Sequence, residues 1–206
     1  MKKIFAILLA LTMALSVFAL AGCGDNGGDV DTTDPKLEAF TNALSATKPQ
    51  STDIEIKVVS GLGITLEGEY NVTYNSDGTA TVEYSYDRLN TFEDGPVDEL
   101  VSRITGTASI AADGTVSGDI SATVAGAATK SFNLDAAKLK SYTAGEGSLV
   151  ATIAADNVSA VLGTAISNLA SDVTISMFAN GGMITAVSIV YTDSVAGAVT
   201  VECVYN

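Results

Sequence analysis

Residues 64–86 read ITLEGEYNVTYNSDGTATVEYSY. Ile64, Leu66, Tyr70, Val72 and Tyr74 alternate with Thr65, Glu67, Glu69, Asn71 and Thr73. After Asn75-Ser76-Asp77-Gly78, the residues Ala80, Val82, Tyr84 and Tyr86 alternate with Thr81, Glu83 and Ser85. A period of two on both arms, with turn residues between them, is the pattern of an antiparallel hairpin with one buried and one wet face. Asp-Gly supplies the positive φ that such a turn needs. The register of the alternation puts Tyr70, Tyr74, Tyr84 and Tyr86 on one face. Tyrosine joins an apolar body to a polar tip, which suits either a core under helices or a wet cavity.

Working towards the N-terminus, Ile54, Ile56 and Val58 alternate with Glu55 and Lys57, which predicts another strand. Before it, Asp34 can cap a helix and Pro35 fits its first turn. Leu37, Phe40 and Leu44 then form one apolar stripe, and Lys48-Pro49 ends the helix. Towards the C-terminus, residues 91–99 read as a loop carrying Glu93, Asp94, Asp98 and Glu99. A second hairpin is expected over 103–111 and 115–125, joined through Asp113-Gly114. Residues 103–130 carry only Arg103, Asp113, Asp119 and Lys130. Long strands so poor in charge risk edge pairing, so the expected place is mid-sheet. Phe132–Ser141 fits a strand or a short helix, and Ser148–Ala154 fits a strand. From Asp156 the residues Val158, Val161, Leu162, Ala165, Ile166 and Leu169 fall at helical spacing, predicting a helix over 156–170. Strands over 172–179, 183–192 and 197–205 close the chain, the first two joined by Asn180-Gly181-Gly182.

The chain has 206 residues, with 24 acidic and 10 basic side chains and no histidine. Apolar residues make up 47% and charged residues 17%, which excludes a disordered acidic tail. The absence of histidine excludes Ser-His-Asp and Cys-His catalysis and every histidine metal site. The negative balance argues against nucleic acid, which requires a basic footprint.

Residues 1–23 carry a different signal. Lys2 and Lys3 precede an apolar run from Ile4 to Ala21 that ends in small residues, as in an export signal. The block Leu20-Ala21-Gly22-Cys23 resembles the bacterial lipobox. That resemblance implies cleavage between Gly22 and Cys23 and a lipid on Cys23, which anchors the protein to the bacterial cell membrane. Two or more acyl chains hold stably where one is marginal. Removing residues 1–22 takes away Lys2 and Lys3 and no acid, leaving 8 basic and 24 acidic residues and a net charge of −16. Such a surface repels anionic headgroups, so the lipid must do the holding. Residues 24–33, GDNGGDVDTT, read as a flexible tether spanning roughly 16–19 Å. Asp25, Asp29 and Asp31 lack the ordered spacing of a calcium loop. Cys203 alternates with Val199, Val201 and Tyr205 and reads as a small buried hydrophobe.

The domain organisation expected is therefore a signal peptide over 1–22, a lipidated cysteine and tether over 23–33, and one domain over 34–206. Its fold class is α+β: a curved antiparallel sheet of about 7–9 strands, with an N-terminal and an inserted helix packed on one face. This order of elements resembles the periplasmic lipoprotein-localisation factors and related lipid-binding lipoproteins. The resemblance implies an incomplete barrel that shelters acyl chains against its helices.

No Gly-x-Ser-x-Gly elbow or phosphate loop occurs. The densest carboxylates, Glu93 to Glu99, belong to a solvated loop. No catalytic residue, cofactor or metal is expected. The function expected is a non-enzymatic, extracytoplasmic, lipid-anchored protein that binds a lipid or other amphiphile between sheet and helix. The lining residues would be Leu66, Tyr70, Tyr84, Val161, Leu162 and Ile166. The alternative is an envelope protein–protein interaction or structural module with a solid core. The first needs a cavity of about 300 Å³ or more; the second needs none.

Overall fold

In the computed structural model, which describes residues 34–61, 63–90 and 99–206, helix α1 runs Pro35–Ala46. Strands β1 (Ser51–Val59), β2 (Ile64–Tyr74), β3 (Ala80–Asn90), β4 (Glu99–Ile110) and β5 (Val116–Ser117) follow. Helix α2 spans Ala122–Thr129 and a 3-10 turn Ala136–Lys138. Then come β6 (Ser141–Ala144), β7 (Ser148–Ile153), the short helix α3 (Val158–Leu162), β8 (Val173–Asn180), β9 (Met183–Asp193) and β10 (Gly197–Tyr205). The predicted lipobox, with Gly22 and Cys23, the tether, and Glu93, Asp94 and Asp98 lie outside the described residues.

All strands join one antiparallel sheet in the order β5-β4-β3-β2-β1-β10-β9-β8-β7-β6. The chain steps outward from β1 to β5, crosses the sheet, and steps inward from β6 to β10. β10 then pairs with β1 from Thr52↔Tyr205 to Val59↔Ala198. β5 and β6 end the order unpaired with each other, so the sheet is open among the described residues. There are ten strands where about 7–9 were expected; β6, four residues long, is too short to show an alternation.

The quoted hairpin forms in the expected register, with Tyr70 opposite Tyr84 and Val72 opposite Val82. In its turn Asp77 Oδ1 accepts the Thr79 N–H at 3.0 Å. Asp113 Oδ1 accepts the Thr115 N–H at 2.9 Å in the next turn. Helix α1 is capped as expected, the Lys36 N–H donating to Asp34 Oδ1 at 2.8 Å. Its Leu37, Phe40, Ala43 and Leu44 are buried. Thr47 ties it to the sheet, its Oγ1 accepting the Ile184 N–H at 2.7 Å.

The crossover departs from expectation. The second hairpin keeps its Asp113-Gly114 turn, but its return strand lasts only two residues and Ala122–Thr129 is helical. Ser121 caps α2, its Oγ accepting the Val124 N–H at 3.3 Å. Alanine favours helix, and the run ATVAGAAT has no polar face to show a period. Its small side chains let α2 lie against the sheet: Tyr74 OH donates to Ala128 O at 2.6 Å and Tyr205 OH to Ala127 O at 2.8 Å. Because the chain leaves the sheet after Ser117, β4 is not mid-sheet. Among the described residues its outer side pairs only through Ser109 and Ile110.

The expected helix over 156–170 is also shorter, α3 stopping at Leu162. Gly163 takes φ 69°, and a Cβ there would lie 2.7 Å from Ser131 Oγ. A left-handed glycine closes a helix. The apolar residues beyond it, Ile166 and Leu169, pack on the core from irregular chain.

The core lies on the face covered by the helices. β10 contributes Val199, Val201, Cys203 and Tyr205, all buried. Burial pushes the Cys203 thiol up to about 12, which makes it inert, as its reading as a hydrophobe requires. The opposite face carries rows of charge. Lys57 meets Glu67 at 2.9 Å, and Arg103 Nε meets Asp87 Oδ1 at 2.6 Å. The adjoining row sets Glu202 opposite Glu55 and Glu55 opposite Glu69, three acids in consecutive register positions.

Candidate functional site

The inward face of β2–β4 changes character along the strands. At the end near the Asn75–Gly78 turn, Val72, Val82 and Ala108 are aligned and buried. One step along, Tyr70, Tyr84 and Gly106 are aligned, and then Gly68, Tyr86 and Ile104. At the far end come Leu66, Arg88 and Ser102. Leu66 is 36% exposed and Ile104 62% exposed, so the covering stops before this end is reached. Val59, Leu100, Val101 and Val195 are exposed at the same end of the sheet.

Two glycines shape the transition. A Cβ at Gly106 would meet the ring of Tyr84, and one at Gly68 would lie 2.9 Å from Tyr86 Cε1 and 2.6 Å from Ile56 Cγ2. Each tyrosine therefore lies over the glycine of the neighbouring strand. The three rings pack on one another, with centroids 5.9 Å apart for Tyr70–Tyr84, 5.5 Å for Tyr70–Tyr86 and 6.0 Å for Tyr84–Tyr86. The Tyr70–Tyr86 contact is edge-on, at 88°, a preferred aromatic geometry.

The hydroxyls are unevenly served. Tyr191 OH lies 3.2 Å from Thr123 Oγ1. Tyr70 is 1% exposed and its hydroxyl has no hydrogen-bond partner among the described residues. Buried polar groups in proteins are almost always paired, so this oxygen stands out as an orphan among them. Burial, followed by the charge of Asp119, raises the Tyr86 hydroxyl above its ordinary value.

The expected lining residues separate into two groups. Leu66, Tyr70 and Tyr84 share the inward face of β2–β3. Val161 and Leu162 lie in the core on α3, whose carbonyls are taken by residues 131–133: Asn133 N–H donates to Val161 O at 2.7 Å and Ser131 Oγ to Leu162 O at 3.0 Å. Ile166 is half-buried beyond the end of α3.

Two open grooves lie elsewhere. One of about 630 Å³ runs between α1 and the glycine turns at 145–147 and 180–182. Another of about 330 Å³ runs between α2, Val116 and residues 163–164. None of the six expected residues lines either groove. The site residues that sequence reading passed over are Gly68, Arg88, Ile104 and Gly106. Arg88 extends the alternation of Tyr84 and Tyr86 by one step, so its inward position was legible in the spacing. The described residues contain no cluster of three acids or thiols fit to hold a metal, and no helix among them is long and apolar enough to cross a membrane.

No protein-family profile matches the chain, and no curated protein matches it in sequence. Solved structures share its outline at low identity. LprF from Mycobacterium bovis aligns with a TM-score of 0.39 and 12% identity, over 85% of this chain and 93% of that one. The LolA superfamily protein NE2245 from Nitrosomonas europaea aligns with a TM-score of 0.30 and 10% identity, over 86% and 92%.

Proposed function

We propose that this chain is a non-enzymatic, lipid-anchored extracytoplasmic protein whose open sheet, an incomplete barrel, holds a hydrophobic or amphiphilic ligand on its inward face. The observation that carries this reading is the uncovered end of β2–β4, where Leu66 and Ile104 reach solvent beside three stacked tyrosines and an orphan hydroxyl. An apolar face left open on one side, with a few polar tips, is what a ligand of this class covers.

The test uses residues 24–206 and N-phenyl-1-naphthylamine, a neutral dye that brightens in apolar sites. Saturable binding of one dye per chain, lost in Ile104→Glu, is the expected result. Failure of the dye to brighten with the wild-type domain would refute the ligand reading. It would favour the competing reading, an interaction module, for which β4 offers an outer edge paired, among the described residues, only at Ser109 and Ile110. Such an edge can accept a partner strand.

Anchoring is tested separately in the full chain. Cys23→Ser is expected to abolish lipid labelling and to leave the precursor unprocessed. Unchanged migration and unchanged labelling would overturn the lipobox reading.

A further inference from the structure

The seven tyrosines of the chain divide into two sets. Four give their hydroxyl a partner. Tyr74 donates to Ala128 O at 2.6 Å, Tyr205 to Ala127 O at 2.8 Å and Tyr142 to Asp34 Oδ2 at 2.7 Å, and Tyr191 OH lies 3.2 Å from Thr123 Oγ1. The hydroxyls of Tyr70, Tyr84 and Tyr86 have no partner among the described residues. These three are the tyrosines that pack on one another on the inward face of β2–β3. Tyr84 and Tyr86 are half-buried, and Tyr70 is buried behind them. A Cβ at Gly68 would lie 3.2 Å from Tyr70 Cε2 and 2.9 Å from Tyr86 Cε1. Gly68 stands two residues nearer the exposed Leu66 end of β2 than Tyr70 does, so the Tyr70 ring leans towards that end. Its Cε2 is bonded to the carbon that carries the hydroxyl, so the buried, unpartnered oxygen is aimed the same way.

We propose, resting on the reading above, that the ligand is a neutral carbonyl compound with an apolar chain, its carbonyl oxygen accepting a hydrogen bond from the Tyr70 hydroxyl and its chain lying over Leu66 and Ile104. A buried hydroxyl without a partner costs free energy that an acceptor on the ligand recovers. A phenol has one proton to donate, and a carbonyl oxygen is satisfied by one donor. An ionised group at the same depth would cost far more to bury unless it were paired. Tyr84 and Tyr86 hold two further hydroxyls beside the first, at positions open enough for the rest of a polar group. From Tyr70 to Leu66 is four residues of β2, about 13 Å, so one chain of moderate length reaches from the hydroxyl to the exposed leucine. Gly68 and Gly106 make this arrangement possible, because only a position without a side chain lets the rings of Tyr86 and Tyr84 lie down over it.

The experiment competes methyl decanoate, valerophenone and pentylbenzene against bound N-phenyl-1-naphthylamine, each below its solubility limit. Valerophenone and pentylbenzene have the same skeleton and differ by a carbonyl in place of a methylene, so their affinity ratio isolates the oxygen. Tyr70→Phe is expected to lower the affinities for valerophenone and methyl decanoate, relative to that for pentylbenzene, about twofold to tenfold. Without ligand, the same variant is expected to unfold at a urea midpoint no lower than that of wild type, because it removes a polar group that the free fold does not pair. A lower midpoint would show that the hydroxyl is already satisfied in the free protein and would overturn the proposal. Affinity ratios unaltered in Tyr70→Phe would overturn it too, while the ligand reading stood. Failure of all three compounds to displace the dye, with the dye still bound, would have the same meaning. Failure of the dye itself to bind would remove both.

Discussion

Val201→Asp is expected to destabilise the domain by at least about 3 kcal/mol. Val201 is 0% exposed. It sits in the middle of β10, opposite Ile56 on one side and Ile189 on the other. The β1–β10 pairing joins the outward and inward halves of the chain, so a wedge there loosens the whole sheet. Among the described side chains of β1–β4, the one inward charge that could meet the new carboxylate is Arg88, which stands beyond β2 on β3. With a total stability of roughly 5–15 kcal/mol for an ordinary domain, the variant is expected to lose a large part of its folded margin. Urea titration of the domain checks this. A midpoint indistinguishable from wild type would mean that this face of β10 is not the core.

Glu202→Gln is expected to act in the other direction although it is the adjacent residue. Glu202 is 7% exposed and points to the opposite face, beside Glu55, which itself stands beside Glu69. Burial and then the charge of Glu55 push the Glu202 carboxyl from 4.5 to about 7. Burial and then Glu69 push Glu55 up as well. A folded-state value above the unfolded one means that the folded chain holds its proton longer. The stabilisation it gives is complete below about 4.5 and is lost as pH rises through about 7. The wild-type melting temperature should therefore fall between pH 5 and pH 8. Asp34, Asp77, Asp87 and Asp113 work the opposite way: hydrogen bonds hold them below 3.8, so their contribution is lost only as pH falls under that value. Glu202→Gln is expected to flatten the decline and to gain about 1 kcal/mol at pH 8 by removing one like-charge neighbour. A pH profile identical to wild type, or a variant less stable at pH 8, would show that these acids do not share a desolvated row.

The contrast between residues 201 and 202 also marks how much was legible beforehand. The alternation of Val199, Val201, Cys203 and Tyr205 assigned one face of β10 to the core without any knowledge of its neighbours. The same local rule placed Tyr70 and Tyr84 on one face and Asp34 at the start of a helix. Segments without a period defeated it. Residues 122–129 have no charged or large side chain to mark a face, and the first four of them, 122–125, read as the end of a strand until the crossing helix is seen. Residues 156–170 do have helical spacing, but Gly163 takes a left-handed conformation where a Cβ would collide with Ser131, and the helix ends there.

Sequence alone determined the antiparallel hairpins, the capped first helix, the inert character of Cys203 and the absence of histidine chemistry, because each follows from residues within a few positions of one another. Tertiary structure alone decided that β4 borders an edge, that three glutamates stand abreast and that the Tyr70 hydroxyl has no partner among the described residues. Those are properties of register between strands and of where a crossing helix stops covering a sheet. A period of two says which way a side chain points; only the neighbouring strand says what it meets.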